Sequence, residues 1–543
     1  MPRAGLICLL IYTLLLVVSQ VASNKKIGPW VQPTEGEPWP MPTIKDIFDR
    51  DFQIHPDRFD FQITNENCDI LEKAIRKYKD ILMNDYIIAE KLIKHKKDLQ
   101  QDETNDFENI QYINQIQIHV NNPCEMQPHI NMNETYDLII PNIDDHETAI
   151  LICNSVWGAL RGLETFSQLI VPTSNGLIIR MQRIRDFPKL PHRGLLIDTG
   201  RHFIPVQDIL LTLDGMSYNK LNVLHWHIVD DNSFPYLNSE YPELAKKGAF
   251  HPLLVYTPKD MKMIVEYARL LGIRVIPEFD SPGHTESWGL SYPELLSTCY
   301  NDEGQPNGKR GPVDPTKSVF YNFATDLFLQ SKIIFKDRYF HIGGDEVPYD
   351  CWKSNPKITK FMKKRNITGR YEKLEELHHK KLMNALKDDI IPIVWQEVFD
   401  RVKKLYRNTV VQIWTGDWRK EIAAVTNAGY PAILSTCYYL NYIAQGGDWI
   451  KFYECDPLDF PESFVGQKKL VMGGEACMWT EFVDQTNIHS RMWPRASAVA
   501  ERLWSVNFDN IENAASRLEE HACRMNRRGI PAQPPNGPGF CIT

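Results

Sequence analysis

Two adjacent carboxylates, Asp345 and Glu346, follow His341-Ile342-Gly343-Gly344 at the end of an apolar run. Cleaving a glycosidic bond needs a proton donor for the leaving oxygen and a nucleophile for the anomeric carbon. Neighbours on a strand point to opposite faces unless the backbone bends, so these two do not easily flank one sugar as a two-carboxylate pair. They fit better as one proton donor and one residue that steers a group on the substrate, with the glycines permitting close approach. By itself an Asp-Glu pair equally describes a solvated turn.

Other groups with chemistry recur where apolar runs end: Asp198 and Arg201, Asp230, Asp280, Trp395 and Glu397, Trp414, Tyr439, and Glu475 with Trp479 and Glu481. Tryptophan faces stack on the C–H faces of a pyranose and acids hydrogen-bond its hydroxyls, so convergence of these residues would make a sugar pocket. No phosphate loop and no Cys/His cluster with zinc spacing is present. His225-Trp226-His227 invites a metal, but no third ligand stands out, and no metal or other cofactor is expected.

Convergence requires a frame. Eight β-type runs alternate with helix-compatible stretches: Arg193 to Thr199, Asn222 to Asp230, Arg274 to Asp280, Tyr339 to Glu346, Ile391 to Glu397, Thr409 to Thr415, Pro431 to Tyr438 and Lys469 to Trp479. This α/β alternation predicts a (β/α)8 TIM barrel, whose C-terminal face gathers the strand ends. An open doubly wound sheet is the alternative, but it would not bring all eight ends together. Ahead of the barrel, residues 24–185 predict a smaller α/β domain. It has a charged helix from Asp69 to Leu99, strands at Gln115 to Val120 and Tyr136 to Ile140, and an apolar-faced helix from Glu147 to Leu169. The proline-punctuated segment from Arg185 to Pro191 marks the boundary, which leaves 186–543 as the catalytic barrel domain.

The 543 residues, 43% hydrophobic and 24% charged, supply ample core, and the net charge of −8 offers no basic field for nucleic acid. Residues 1–23 read as a signal peptide, with Arg3 before the apolar run Gly5 to Val18 and Val21-Ala22-Ser23 as the cleavage site. No stable membrane span is expected, because no later run reaches the ~20 apolar residues needed. Export places the cysteines other than Cys8 in an oxidising compartment, where pairing is the default. Spacing suggests Cys68 with Cys124, Cys299 with Cys351 and Cys523 with Cys541, leaving Cys153, Cys437, Cys455 and Cys477 unassigned. Asn133-Glu134-Thr135 and Asn366-Ile367-Thr368 are glycosylation sequons, so Asn133 and Asn366 are candidate acceptors.

Several motifs together are specific. Arg193-Gly194-Leu195-Leu196-Ile197-Asp198-Thr199-Gly200-Arg201-His202, His225-Trp226-His227, Pro277 to His284, His341 to Glu346, Trp395-Gln396-Glu397, Gly474 to Glu481 and Trp493-Pro494-Arg495-Ala496 resemble the β-N-acetylhexosaminidases of glycoside hydrolase family 20. The likeness runs over essentially the whole chain after the leader and is close to the animal lysosomal α and β subunits. It implies hydrolysis of terminal N-acetylglucosamine or N-acetylgalactosamine from an oligosaccharide or glycoconjugate, with the substrate's own acetamido oxygen as nucleophile. The resemblance makes Glu346 the general acid and base, Asp345 the residue orienting the acetamido N–H and Tyr439 the donor to the acetamido oxygen. It places Trp395, Trp414 and Trp479 around the sugar, with Arg201 and Glu481 on ring hydroxyls and Asn441 also in contact. Asp230, His227 and His284 would set protonation near Glu346. It further implies a homodimer in the lysosome or outside the cell. A sugar-binding barrel without turnover and a metal-dependent barrel hydrolase are the competing classes.

Overall fold

The computed structural model describes residues 28–98, 111–141, 147–386, 390–444 and 446–543. The predicted leader lies outside the described residues. A mixed seven-stranded sheet comes first, in the order Ile44–Ile54, Gly176–Asp186, Tyr136–Ile140, Thr148–Cys153, Gln115–Val120, Asp60–Ile63, with Val171–Thr173 paired to the second of these. Helices Asp69–Asp98 and Val156–Gln168 pack together against this sheet. The helix predicted from Glu147 to Leu169 is therefore two elements. Its first part, Thr148-Ala149-Ile150-Leu151-Ile152-Cys153, is a strand between two partners, where β-branched side chains pack well. The helix begins only after Ser155, whose hydroxyl accepts the N–H groups of Trp157 and Gly158.

The second body is a closed parallel barrel. Its strands, first to eighth, are His192–Asp198, Val223–His227, Arg274–Glu278, Tyr339–His341, Ile391–Trp395, Val410–Ile413, Ala432–Leu434 and Val471–Met478, and the eighth pairs with the first. Each lies within one of the predicted runs or one residue outside it. An antiparallel hairpin, Leu296–Tyr300 with Pro306–Val313, is inserted after the third strand.

Period-two alternation sorts the barrel interior into levels. Val223, Ile276, Ile393, Val410 and Ile433 form a dry apolar plug. One step up each strand stand His225, Glu278, Trp395, Gln412 and Ser435, a level dominated by polar side chains. Trp395 also joins the aromatic cluster above this level, with Tyr439 and Trp479 and with Trp414 packed alongside.

Buried ion pairs join sheet and barrel. Glu134 takes both Arg161, at 2.8 Å, and Arg193, at 2.6 Å, while Lys220 reaches Asp186 at 2.9 Å. Losing one partner of such a pair strands a buried charge, at a cost of roughly 3–5 kcal/mol. The three predicted disulfides are present, and Cys437–Cys455 is a fourth. Cys153 and Cys477 are free and buried.

Candidate active site

The fourth strand stops at His341, earlier than the predicted run, because Gly343 and Gly344 turn the chain with φ of +66° and +108°. The Gly344 N–H donates to Asp280 Oδ1 at 2.7 Å. A Cβ on Gly343 would fall 1.6 Å from that same oxygen, so no other residue fits. Glu346 then takes φ of +45°, a conformation costly for a side chain bearing Cβ. This bend answers the objection that neighbours face apart. Asp345 Oδ2 and Glu346 Oε2 lie 3.7 and 3.8 Å from one atom, Nε2 of His284. Asp345 is buried, whereas the Glu346 side chain is 59% exposed and free to meet a substrate.

His284 itself sits at φ +53° and directs Nδ1 to Asp230 Oδ1 at 3.3 Å. Asp230 Oδ2 also receives His227 Nε2 at 2.7 Å and pairs with Arg201 at 3.0 Å. Burial disfavours a charged His284, yet Asp345 and Asp230 hold its pKa well above the usual histidine range. Burial, and then the neighbouring Asp345, push the Asp280 carboxyl well above the ordinary carboxylate range. Asp280 thus belongs with Asp345 and the Gly344 amide.

Beside these acids is the aromatic pocket. Trp395 and Trp479 have ring centroids 5.9 Å apart, and Trp414 stacks on Tyr439 at 6.3 Å and 25°. Tyr439 is pinned because the flanking backbone pairs with the eighth strand: Leu440 N–H donates to Cys477 O at 2.8 Å and Cys477 N–H to Tyr438 O at 3.0 Å. Burial raises the pKa of its phenol, which therefore stays a donor. Arg201 lies 5.0 Å over the Trp479 ring, with Asp198 at 3.2 Å, and exposed Glu481 adds to the field that keeps it charged. Asn441 is half-buried, with a side-chain oxygen unpaired among the described residues, next to exposed Tyr442.

All the predicted catalytic and sugar-contacting side chains thus occur on loops or strand ends at one mouth. Asn133 and Asn366 are exposed, the former accepting the Thr135 N–H at 2.9 Å. Glu475 departs from the predicted placement: it is buried within the barrel against His192, His225 and Gln412. Glu278, His192, His341 and Gln412 have no predicted role, yet they fill the polar level below the pocket. The third partner not apparent beside His225 in the sequence exists, since Glu278 and His341 approach it closely enough for a metal geometry. Both Glu278 oxygens already accept N–H donors, however, from His227 and Trp395. Two further groups, Asp230 with Asp231 and His284, and Asp280 with His284 and Asp345, also have ligand atoms within 4.8 Å of one another. In both, His284 directs its nitrogens at carboxylates as hydrogen-bonding and ion-pairing partners.

An acid pair at the C-terminal mouth of a (β/α)8 barrel, beside a pocket walled by tryptophans, is the arrangement of a glycoside hydrolase. The model of the glycosyl hydrolase family 20 catalytic domain matches residues 190–507, and a beta-acetyl hexosaminidase like model matches residues 38–169. The chain belongs to glycosyl hydrolase family 20 and is an exo-glycosidase. It is 45% identical over 507 residues to the beta-hexosaminidase subunit beta of Mus musculus, covering 91% of each chain. It is 42% identical over 516 residues to the subunit alpha of Rattus norvegicus, covering 93% of this chain and 94% of that one. Among solved structures, the chitobiase of Flavobacterium johnsoniae superposes with a TM-score of 0.74 at 27% identity, over 91% of this chain and 73% of that one.

Proposed function

We propose that the chain is a β-N-acetylhexosaminidase that removes terminal N-acetylglucosamine and N-acetylgalactosamine residues with retention of configuration, and that Asp345, Glu346 and Tyr439 carry the reaction. The observation that carries the reading is the bend at Gly343-Gly344, which brings two adjacent acids to one His284 nitrogen. Adjacent acids directed at one histidine nitrogen fit one proton donor and one steering group, and the family resemblance supplies the nucleophile, the substrate's own acetamido oxygen, giving an oxazolinium intermediate. Glu346, the exposed member, protonates the leaving oxygen and then deprotonates water. Asp345, the buried member, accepts the acetamido N–H and balances the growing positive charge. Tyr439 donates to the acetamido oxygen and aligns it for attack. Trp395, Trp414 and Trp479 enclose the sugar, while Arg201, Glu481 and Asn441 hold its hydroxyls. Asp230, His227 and His284 set the protonation of the acids.

Glu346→Gln tests the assignment. A general acid contributes about 10²–10⁴-fold, so turnover of a disaccharide should fall by that factor while an activated nitrophenyl leaving group suffers less. Near wild-type turnover of the disaccharide would remove Glu346 from the role.

We also infer a secreted or lysosomal enzyme, active as a homodimer. The leader and the four disulfides support the location, and the family resemblance supports the pairing. Among the described residues no helix is long and apolar enough to cross a membrane.

A further inference from the structure

Beneath the sugar pocket the barrel holds two glutamates and four histidines, all buried. Glu278 Oε2 accepts His227 Nδ1–H at 2.7 Å and lies 2.9 Å from His225 Nε2. Its other oxygen accepts the Trp395 indole N–H at 2.8 Å and lies 3.0 Å from His341 Nδ1. Glu475 receives His192 at 2.6 Å, with His225 and Gln412 each at 2.8 Å. Moving a carboxylate into such an interior costs several kcal/mol unless its lone pairs are met, and here they are met by several donors.

The connectivity fixes protons. An ionised carboxylate only accepts, so a histidine spanning two carboxylates carries a hydrogen on each nitrogen. His227 spans Glu278 and Asp230, each at 2.7 Å. Burial opposes its charge, but the Glu278 and Asp230 carboxylates hold its pKa well above normal. Asp230 is then committed as an anion, His284 must turn Nδ1–H toward it, and Nε2 is left to face Asp345 and Glu346.

We propose that Glu278 is a positioning residue for the reaction: by accepting from His227 and Trp395 at once, it sets both the proton order that reaches Asp345 and Glu346 through Asp230 and His284, and the orientation of one wall of the sugar pocket. Glu278 touches no reacting atom. The inference rests on the roles given above to Asp345 and Glu346. The failure of those roles is read from Glu346→Gln on a disaccharide, whereas the failure of this one is read from a pH profile.

The other titratable groups facing Glu278 are Asp280, Cys477, His341 and Glu475. Burial keeps Asp280 protonated, the Cys477 thiol protonated and His341 neutral. Burial opposes the charge of Glu475, but its histidine partners keep it ionised. A change at Glu278 thus reaches Asp230 through His227, whereas His225 leads away from the acids to Glu475.

Glu278→Gln keeps the size but removes the charge and replaces one acceptor oxygen with a donor. His227 then loses an anionic partner and gives up its extra proton within the working range. The expected result is a kcat lower by about 10–100-fold, as for other supporting partners of catalytic groups, with KM changed much less. The alkaline limb of kcat/KM should begin at lower pH than in wild type. Glu475→Gln is the control, because Glu475 contacts neither His227 nor Trp395; it should lower thermal stability while leaving the shape of the pH profile unchanged. A Glu278→Gln profile superimposable on wild type, or an equal shift in Glu475→Gln, would overturn the proposal. Should Glu278→Gln not fold, neutron diffraction from the wild-type enzyme near neutral pD decides: deuterons on both nitrogens of His227 support the proposal, and a single one overturns it.

Discussion

The indole N–H of Trp414 donates to the carboxylate of Glu397 across 2.8 Å, tying a wall of the sugar pocket to an acid whose pKa burial pushes up to about 6. Glu397 is therefore neutral in acid and becomes an anion, close enough to Asp345 to feel its charge, as pH rises through 6. Glu397→Gln retains an acceptor for Trp414 but cannot ionise. Part of the decline in kcat/KM between pH 5 and 7 should disappear in this variant, and coincident wild-type and variant profiles would show that Glu397 has no part in it.

Substrate assistance gives a second expectation. Under the proposed mechanism, Asp345→Asn removes the anion that balances the oxazolinium while leaving the walls of the pocket in place. Loss of one preorganised electrostatic partner costs on the order of 10²–10³ in kcat, with KM nearly constant. A thiazoline mimic of the intermediate should bind tightly to wild type and more weakly to this variant. Equal hydrolysis of the 2-acetamido sugar and its 2-hydroxy analogue by wild type would contradict the mechanism.

The buried charges predict a stability optimum. Burial opposes the charge of Glu475, but His225 and His192 depress its pKa below the ordinary 4.5, so its contribution is present above pH 4.5 and lost as pH falls toward the folded value. Burial likewise opposes the charge of His225, yet Glu475 and Glu278 raise its pKa from 6.5 to about 9; its contribution is complete below pH 6.5 and lost as pH rises through 9. Together they place the maximum between pH 4.5 and 6.5. Calorimetric Tm across pH 3–9 measures it, and a Tm still climbing above pH 7 would be the wrong sign.

A fourth expectation concerns charge on the substrate. Tyr442 stacks on Tyr439 at 5.8 Å and 24°, and its side chain is 60% exposed at the rim. It supplies a hydroxyl donor but no cation beside Asn441. A charge-assisted hydrogen bond is roughly twice as strong as a neutral one, so neutral sugars should be preferred over 6-sulfated ones. Tyr442→Arg should raise kcat/KM for 6-sulfo-N-acetylglucosaminide more than for the parent sugar. Wild-type enzyme that already cleaves both equally would locate the sulfate recognition elsewhere.

The barrel was legible because strands buried on both faces read as continuous apolar runs, and the glycines of His341-Ile342-Gly343-Gly344 marked where one must bend. The groups at the strand ends were legible for the same reason: charged and aromatic residues break those runs at the same point of each strand. The level below was not. Glu278 stands inside Arg274-Val275-Ile276-Pro277-Glu278 with no local partner, and its contacts come from residues 51 and 117 positions away. Glu475 could be seen near a strand end, but only barrel closure sets it against His192, 283 positions earlier. An acid within an apolar run, matched by histidines within others, is the one sequence signal that could have been read. The strand at Thr148–Cys153 is hidden in the sequence because a short apolar run suits either period, and only the Ser155 cap separates it from the helix.

None of the four disulfides joins two barrel strands. Cys351 follows Glu346 by five residues and is tied to the inserted hairpin, while Cys437 precedes Tyr439 by two and is tied to Cys455. Covalent tethers thus hold the loops that carry Glu346 and Tyr439, and the frame beneath them stands without one. Reduction would therefore release a tether from both loops while leaving every strand-to-strand hydrogen bond of the barrel in place.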